Sequence, residues 1–203
     1  MTDFFALLDL PRRPWLDPDS IKQKFIALSA EFHPDRTHGN ESQKRPAQDR
    51  YTQINGAYNC LRNPRERVSH LIKLERGPNA SELQTVPADL MNVFMEVGNA
   101  CRQADRFLGE KAAATSPLLK VQLFERGQEF SDQLAAIRAK LTAAREELIT
   151  ALKRLDADWE QNASSDASSR ASLLDKLEEI RRLLGFYDRW ISQVQERFVQ
   201  LAL

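Results

Sequence analysis

The sequence predicts an all-α chain in two modules, and three observations carry that prediction. Apolar residues recur at spacings of three and four along most of the 203 residues, the period of one helix face. Glycine is scarce, with 7 in the chain, and long stretches lack proline, so little interrupts a helix. Gly77-Pro78-Asn79 is the clearest break, a cluster of turn-forming residues. The expected organisation is a compact helical module over 1–76, a linker over 77–86 and an antiparallel three-helix bundle over 87–203.

In the first module, a short helix is expected over Asp3 to Asp9, with Asp3 at its cap and Pro11 stopping it. Asp17-Pro18 is an N-cap followed by a proline preset for the first helical position. Ile21, Phe25, Leu28 and Phe32 then form one apolar face. Pro34 ends this helix, because the residue before proline avoids the helical region. Residues 36–44 are polar, contain Gly39 and are expected to form an exposed loop. A second long helix is expected from about Pro46, with Tyr51, Ile54, Tyr58 and Leu61 inward. Asn63-Pro64 starts a further helix, ending near Glu75, that carries Val68, Leu71, Ile72 and Leu74.

In the second module, Pro87 opens a helix with Leu90, Phe94, Val97, Cys101 and Ala104 at spacings of four and three. Gly109 and Ser116-Pro117 bracket the next break. A long helix is expected from about Pro117 to Glu160, and the small polar segment 162–169 forms a turn. The final helix keeps the cleanest rhythm, from Leu173, Leu177 and Ile180 to Phe198 and Leu201. Sustained spacing of this kind favours helix-on-helix packing. Leu183, Phe186 and Trp190 form a second line beside that seam, as do Met91 and Met95 on the first bundle helix. Such lines serve either a wide core-facing stripe or an apolar surface for a partner.

Composition narrows the function. Lys+Arg and Asp+Glu are equal at 29 each. Residues 1–76 hold 13 basic against 10 acidic residues, or +3, and the remainder 16 against 19, or −3. Neither half has the strong basic patch of a nucleic-acid binder. No run of about eighteen apolar residues suggests a membrane span, and the N-terminus has no basic stretch before an apolar core, so no secretory signal is read. Cys60 and Cys101 lie in apolar patterns away from any metal spacing, as expected of free thiols in the reducing cytoplasm. No nucleophile, metal set or phosphate loop is visible, so an enzyme is not expected and no cofactor is implied.

One tripeptide stands out. His33-Pro34-Asp35 lies between two helices whose apolar faces can pack against each other. Alone, His33 has an ordinary role near a helix C-terminus, where a cation favours the dipole, and Asp35 an ordinary role in a turn. In context, the constellation resembles the J domain of DnaJ-type co-chaperones, and the likeness continues through Ile54-Asn55-Gly56-Ala57-Tyr58, Leu61, Pro64 and Arg67. Residues 52–77 resemble one branch in particular, HscB, the J-type co-chaperone of iron–sulfur cluster assembly. Leu90-Met91 after Pro87, and Phe186-Tyr187-Asp188-Arg189-Trp190, resemble the HscB segments that hold the cluster scaffold IscU.

The resemblance implies docking on a DnaK/HscA-type ATPase chaperone and stimulation of its ATP hydrolysis. His33, Pro34 and Asp35 would form the essential contact, with Lys22, Lys24 and Arg36 steering it toward an acidic surface. Leu90, Met91, Phe94, Glu96, Phe186 and Trp190 would hold the client, with Met91 and Phe186 near the surface and Trp190 partly buried. Two departures are visible. The middle of the first long helix carries Ile26, Ala27 and Glu31 where many J domains have basic residues. Glu96 is the only acidic residue in the stretch that follows Leu90-Met91, 92–99, where HscB-like proteins carry several. A J-domain protein with another client, or a structural helical adaptor without chaperone activity, therefore stay open.

Overall fold

A computed structural model of the chain describes residues 2–32, 41–77, 86–161 and 167–202. Every regular element among them is helical. In order these are α1 (Phe4–Leu7), α2 (Pro18–Glu31), α3 (Glu41–Arg62), α4 (Pro64–Arg76), a 3₁₀ turn (Ala88–Leu90), α5 (Met91–Ala113), α6 (Pro117–Gln161) and α7 (Ala167–Ala202). The all-α reading of the sequence is borne out.

The starts of the helices follow local chemistry. The Asp3 carboxylate accepts from the backbone N–H groups of Phe5 and Ala6, and Asp17 caps Ser20. Asn63 accepts from Arg65 and Glu66. Each cap satisfies amide donors that have no partner inside the helix. α1 is shorter than expected. It ends at Leu7, and Asp9 takes a left-handed φ of 52°, so the chain turns before Pro11. α3 is longer than expected, beginning at Glu41 with Pro46 inside it. Residues 41–44 are thus helical rather than part of a loop. A proline this near the N-terminus removes a single backbone bond close to an end where donors are unpaired anyway. Gly109 does not break α5, which runs on to Ala113.

Contacts divide the chain into two compact units. One gathers Met1–Ser81 with Ile149–Arg182; the other gathers Glu82–Leu148 with Leu183–Leu203. This differs from the modules read in the sequence, where all of 87–203 forms one bundle. Long-range polar contacts lie within the first unit. Asp156 of α6 is buried and receives the Arg13 guanidinium at 2.5 Å and the Trp15 N–H at 3.1 Å. The Trp159 indole N–H donates to the Arg12 carbonyl at 2.9 Å. Arg76 of α4 reaches Asp175 of α7 at 2.6 Å.

Within the first unit, Ile54, Ala57 and Leu61 of α3 and Val68, Leu71 and Ile72 of α4 are buried with Phe5, Leu8 and Ile21. Within the second, α5, α6 and α7 share one core that includes Val97, Phe107, Leu134, Leu141, Tyr187 and Val194.

Candidate functional site

The tripeptide His33-Pro34-Asp35 and Arg36 lie outside the described residues; the elements on either side of them are described. α2 closes at Glu31, with the Phe32 N–H donating to the Leu28 carbonyl. Phe25 of α2 stacks on Tyr58 of α3 with ring centroids 4.1 Å apart, and the Arg50 guanidinium lies 5.7 Å from the centre of the Phe32 ring. The segment with the tripeptide therefore joins two helices clamped by aromatic packing.

The two lysines assigned to the same surface differ. Lys22 is exposed, on the same face of α2 as the exposed Ile26 four residues on. Lys24 is engaged at home: its ammonium pairs with the Asp9 carboxylate. That contact holds the Asp9 carboxyl below its ordinary range. The sequence offered no sign of this pairing, because it depends on the left-handed turn at Asp9.

Behind the hairpin, two polar side chains are buried. Arg67 of α4 donates to the Pro14 carbonyl at 2.9 Å and to the Leu61 carbonyl at 2.6 Å. Burial pushes its pKa down to about 10, which leaves it charged at neutral pH. His70 stacks on Phe4 and Phe5, and its Nε2 accepts the Phe4 N–H at 3.0 Å. Burial holds His70 below the usual imidazole range, with Lys73 and Arg12 adding to the effect and Asp3 opposing it.

The residues assigned to a client divide into two groups. Met91 and Phe94 are exposed, at 44% and 43%, and Met95 is exposed beside them. They sit at positions i, i+3 and i+4 on one face of α5. Glu96 bonds the Lys140 ammonium of α6 at 2.6 Å. Phe186 and Trp190 are buried, at 8% and 3%, together with Leu90. This corrects two expectations: Phe186 does not lie near the surface, and Trp190 is not partly buried. Their rings are 5.7 Å apart, and Tyr187 meets Trp190 edge-on. The second apolar line of α7 is core because three helices close on that core, and a helix inside such a bundle buries more than one seam. Met95, outside the assigned set, belongs to the exposed strip. Among the described residues, no grouping of His, Cys, Asp or Glu is suited to hold a metal ion.

The comparisons with known proteins fall on this geometry. The DnaJ domain family matches residues 3–70, from the cap of α1 to His70. A co-chaperone protein HscB homolog of Chromobacterium violaceum is 34% identical over 96 residues, which cover 46% of this chain and 55% of that protein. The alignment thus spans about half the length of this curated relative. The structure of chaperone HscB from Vibrio cholerae aligns over 98% of this chain and 99% of its own, with a TM-score of 0.66 and 24% identity. The human co-chaperone HscB aligns over 98% and 81%, with a TM-score of 0.59 and 20% identity. Residues 3–70 thus match a DnaJ domain, and the chain is similar to HscB co-chaperones. The two structural likenesses extend the shared helical fold across nearly the whole chain. The DnaJ match spans the stretch that carries His33-Pro34-Asp35, between α2 and α3 in the sequence.

Proposed function

We propose that this chain is a co-chaperone that docks on a DnaK/HscA-type ATPase, stimulates its ATP hydrolysis and delivers an IscU-like cluster scaffold in the cytoplasm. The observation that carries this reading is the DnaJ match over residues 3–70, with the tripeptide between two clamped helices. Pro34 stiffens the contact and lowers the ordering cost of binding. His33 and Asp35 supply the polar contacts, the carboxylate accepting a charge-assisted bond from a partner cation. Lys22, exposed on α2, is a steering charge, and Arg36 adds to it. Lys24 contributes less, because Asp9 already answers its charge. The test is ATP hydrolysis by the partner chaperone under single-turnover conditions. The wild type accelerates it and His33→Gln does not; no acceleration by the wild type would end this reading.

On the client side, Met91 and Phe94 make the contact, since adaptable thioethers and an aromatic anchor suit an apolar partner surface. Leu90, Phe186 and Trp190 shape the core under that end of the bundle. Glu96 forms part of the polar rim. A different client is the second reading, favoured by one observation: the one acidic residue after Leu90-Met91 in 92–99 is already bonded to Lys140. Titration of the scaffold onto the chain separates the two. Binding that Met91→Ala weakens supports scaffold delivery, and no binding by the wild type favours the other client.

A further inference from the structure

The second unit carries another apolar surface, away from Met91 and Phe94. Of the exposed large apolar side chains among the described residues, Leu118, Leu119, Val121 and Phe124 all belong to the first turns of α6. Phe124 is 77% exposed and Leu118 71%. Leu118, Val121 and Phe124 recur every third residue, so they form a ridge along one side of the helix. Beside it lies a groove of about 630 Å³ lined by Phe107, Leu123, Phe124, Gly127, Phe198 and Leu201. The Phe107 ring lies against α6 at Gly127, where a Cβ would stand 3.4 Å from it.

Two of the cations around this surface have partners within it. Lys111, on the groove wall, donates to the Leu201 carbonyl at 3.1 Å, and Arg126 pairs with Glu110 at 2.9 Å. Residues 112–119, across the turn between α5 and α6, include no charged side chain. A nearly neutral surface offers nothing to a polyanion and sets no like-charge barrier against itself.

We propose that this face is a self-association surface, occupied by the same face of a second copy. A ridge and a groove side by side on one surface are self-complementary under a two-fold axis, each ridge filling the other copy's groove. The two α5–α6 hairpins would then pack as a four-helix arrangement. The four exposed side chains present on the order of 400 Å² per copy, a size at which an apolar patch marks a contact site. With the groove walls, two copies bury on the order of 1,000 Å², the lower bound for a specific interface. The expected dimer is therefore weak and concentration-dependent.

Sedimentation velocity of the full chain, from about 1 μM to about 300 μM, reads this directly. The wild type shifts from monomer toward dimer, with a midpoint on the order of 0.1 mM. Phe124→Asp and Leu118→Asp each move that midpoint up at least tenfold, with helical circular dichroism unchanged. Phe124→Ser serves as the milder variant should Phe124→Asp lose helix. Both sites lie outside the surfaces proposed for the ATPase and the client, so stimulation at low concentration stays unchanged. A wild type monomeric throughout, or a dimer indifferent to the substitutions, overturns the proposal. So does a monomer that floats with phosphatidylcholine–phosphatidylserine vesicles and loses that binding in Phe124→Asp, which assigns the face to lipid.

Discussion

Two aromatic side chains four residues apart on α7 and two exposed apolar side chains on α5 bear on the same proposed client surface by different physics. Trp190 lies in the core, so Trp190→Ala leaves a large cavity and costs about 3–5 kcal/mol, visible as a lower denaturant midpoint. Met91 and Phe94 are exposed, so Met91→Ala and Phe94→Ala change stability by under about 0.5 kcal/mol. Their effect falls on client affinity, with a loss of roughly tenfold or more expected at an anchor position. His70 adds a pH dependence. Its Nε2 must be unprotonated to accept the Phe4 N–H, and its folded pKa lies below the ordinary value. The unfolded chain therefore binds the proton more readily, and stability rises with pH. This contribution is fully present above about pH 6.5 and is lost as pH falls through the ordinary value and on through the folded one. Denaturant midpoints measured from neutral pH downward drop in the wild type, and the drop is smaller in His70→Gln.

At the scale of the element, the capping residues were legible in the sequence because they act within three residues. Asp3, Asp17 and Asn63 all cap as their positions predict. Asp17→Ala is expected to lower the denaturant midpoint, as the loss of a cap does. The ends of α1 and α3 were less legible. Pro11 and Pro46 are strong local signals, yet the turn at Asp9 ended one helix earlier and Pro46 was absorbed into the other. The contact of α6 with the N-terminal segment was not legible at all. Asp156 has the look of an ordinary solvated carboxylate in its sequence, but it is buried and accepts from Arg13 and Trp15. Asp156→Ala strands those donors. Its cost is on the order of 3 kcal/mol, and urea denaturation of the full chain measures it.

At the scale of the molecule, the J-domain match ends at residue 70, but the compact unit that contains it also takes in Ile149–Arg182. A fragment ending at Ser81 lacks Asp156, Trp159 and Asp175. It is expected to remain helical but to melt several degrees below the full chain, since each kcal/mol moves a small domain by about 4–8 °C. Thermal circular dichroism of the two side by side checks this. An equal melting temperature would show that those long-range contacts add nothing to the stability of the J domain.

The helical class, the capping residues and the family resemblance follow from the sequence alone, because helix period, caps and a contiguous tripeptide are all written in near neighbours. Which of two apolar lines faces inward is not local. Leu183, Phe186 and Trp190 carry the same period whether they meet solvent or helix, and only the closing of α5, α6 and α7 on one core put Phe186 and Trp190 inside. The partners of Lys24, Arg13 and Glu96 were likewise decided in three dimensions. Lys24 and Asp9 are 15 residues apart, Glu96 and Lys140 44, and Arg13 and Asp156 143. At those separations no periodicity links two charges, so the fold alone determined which were left free to meet a partner.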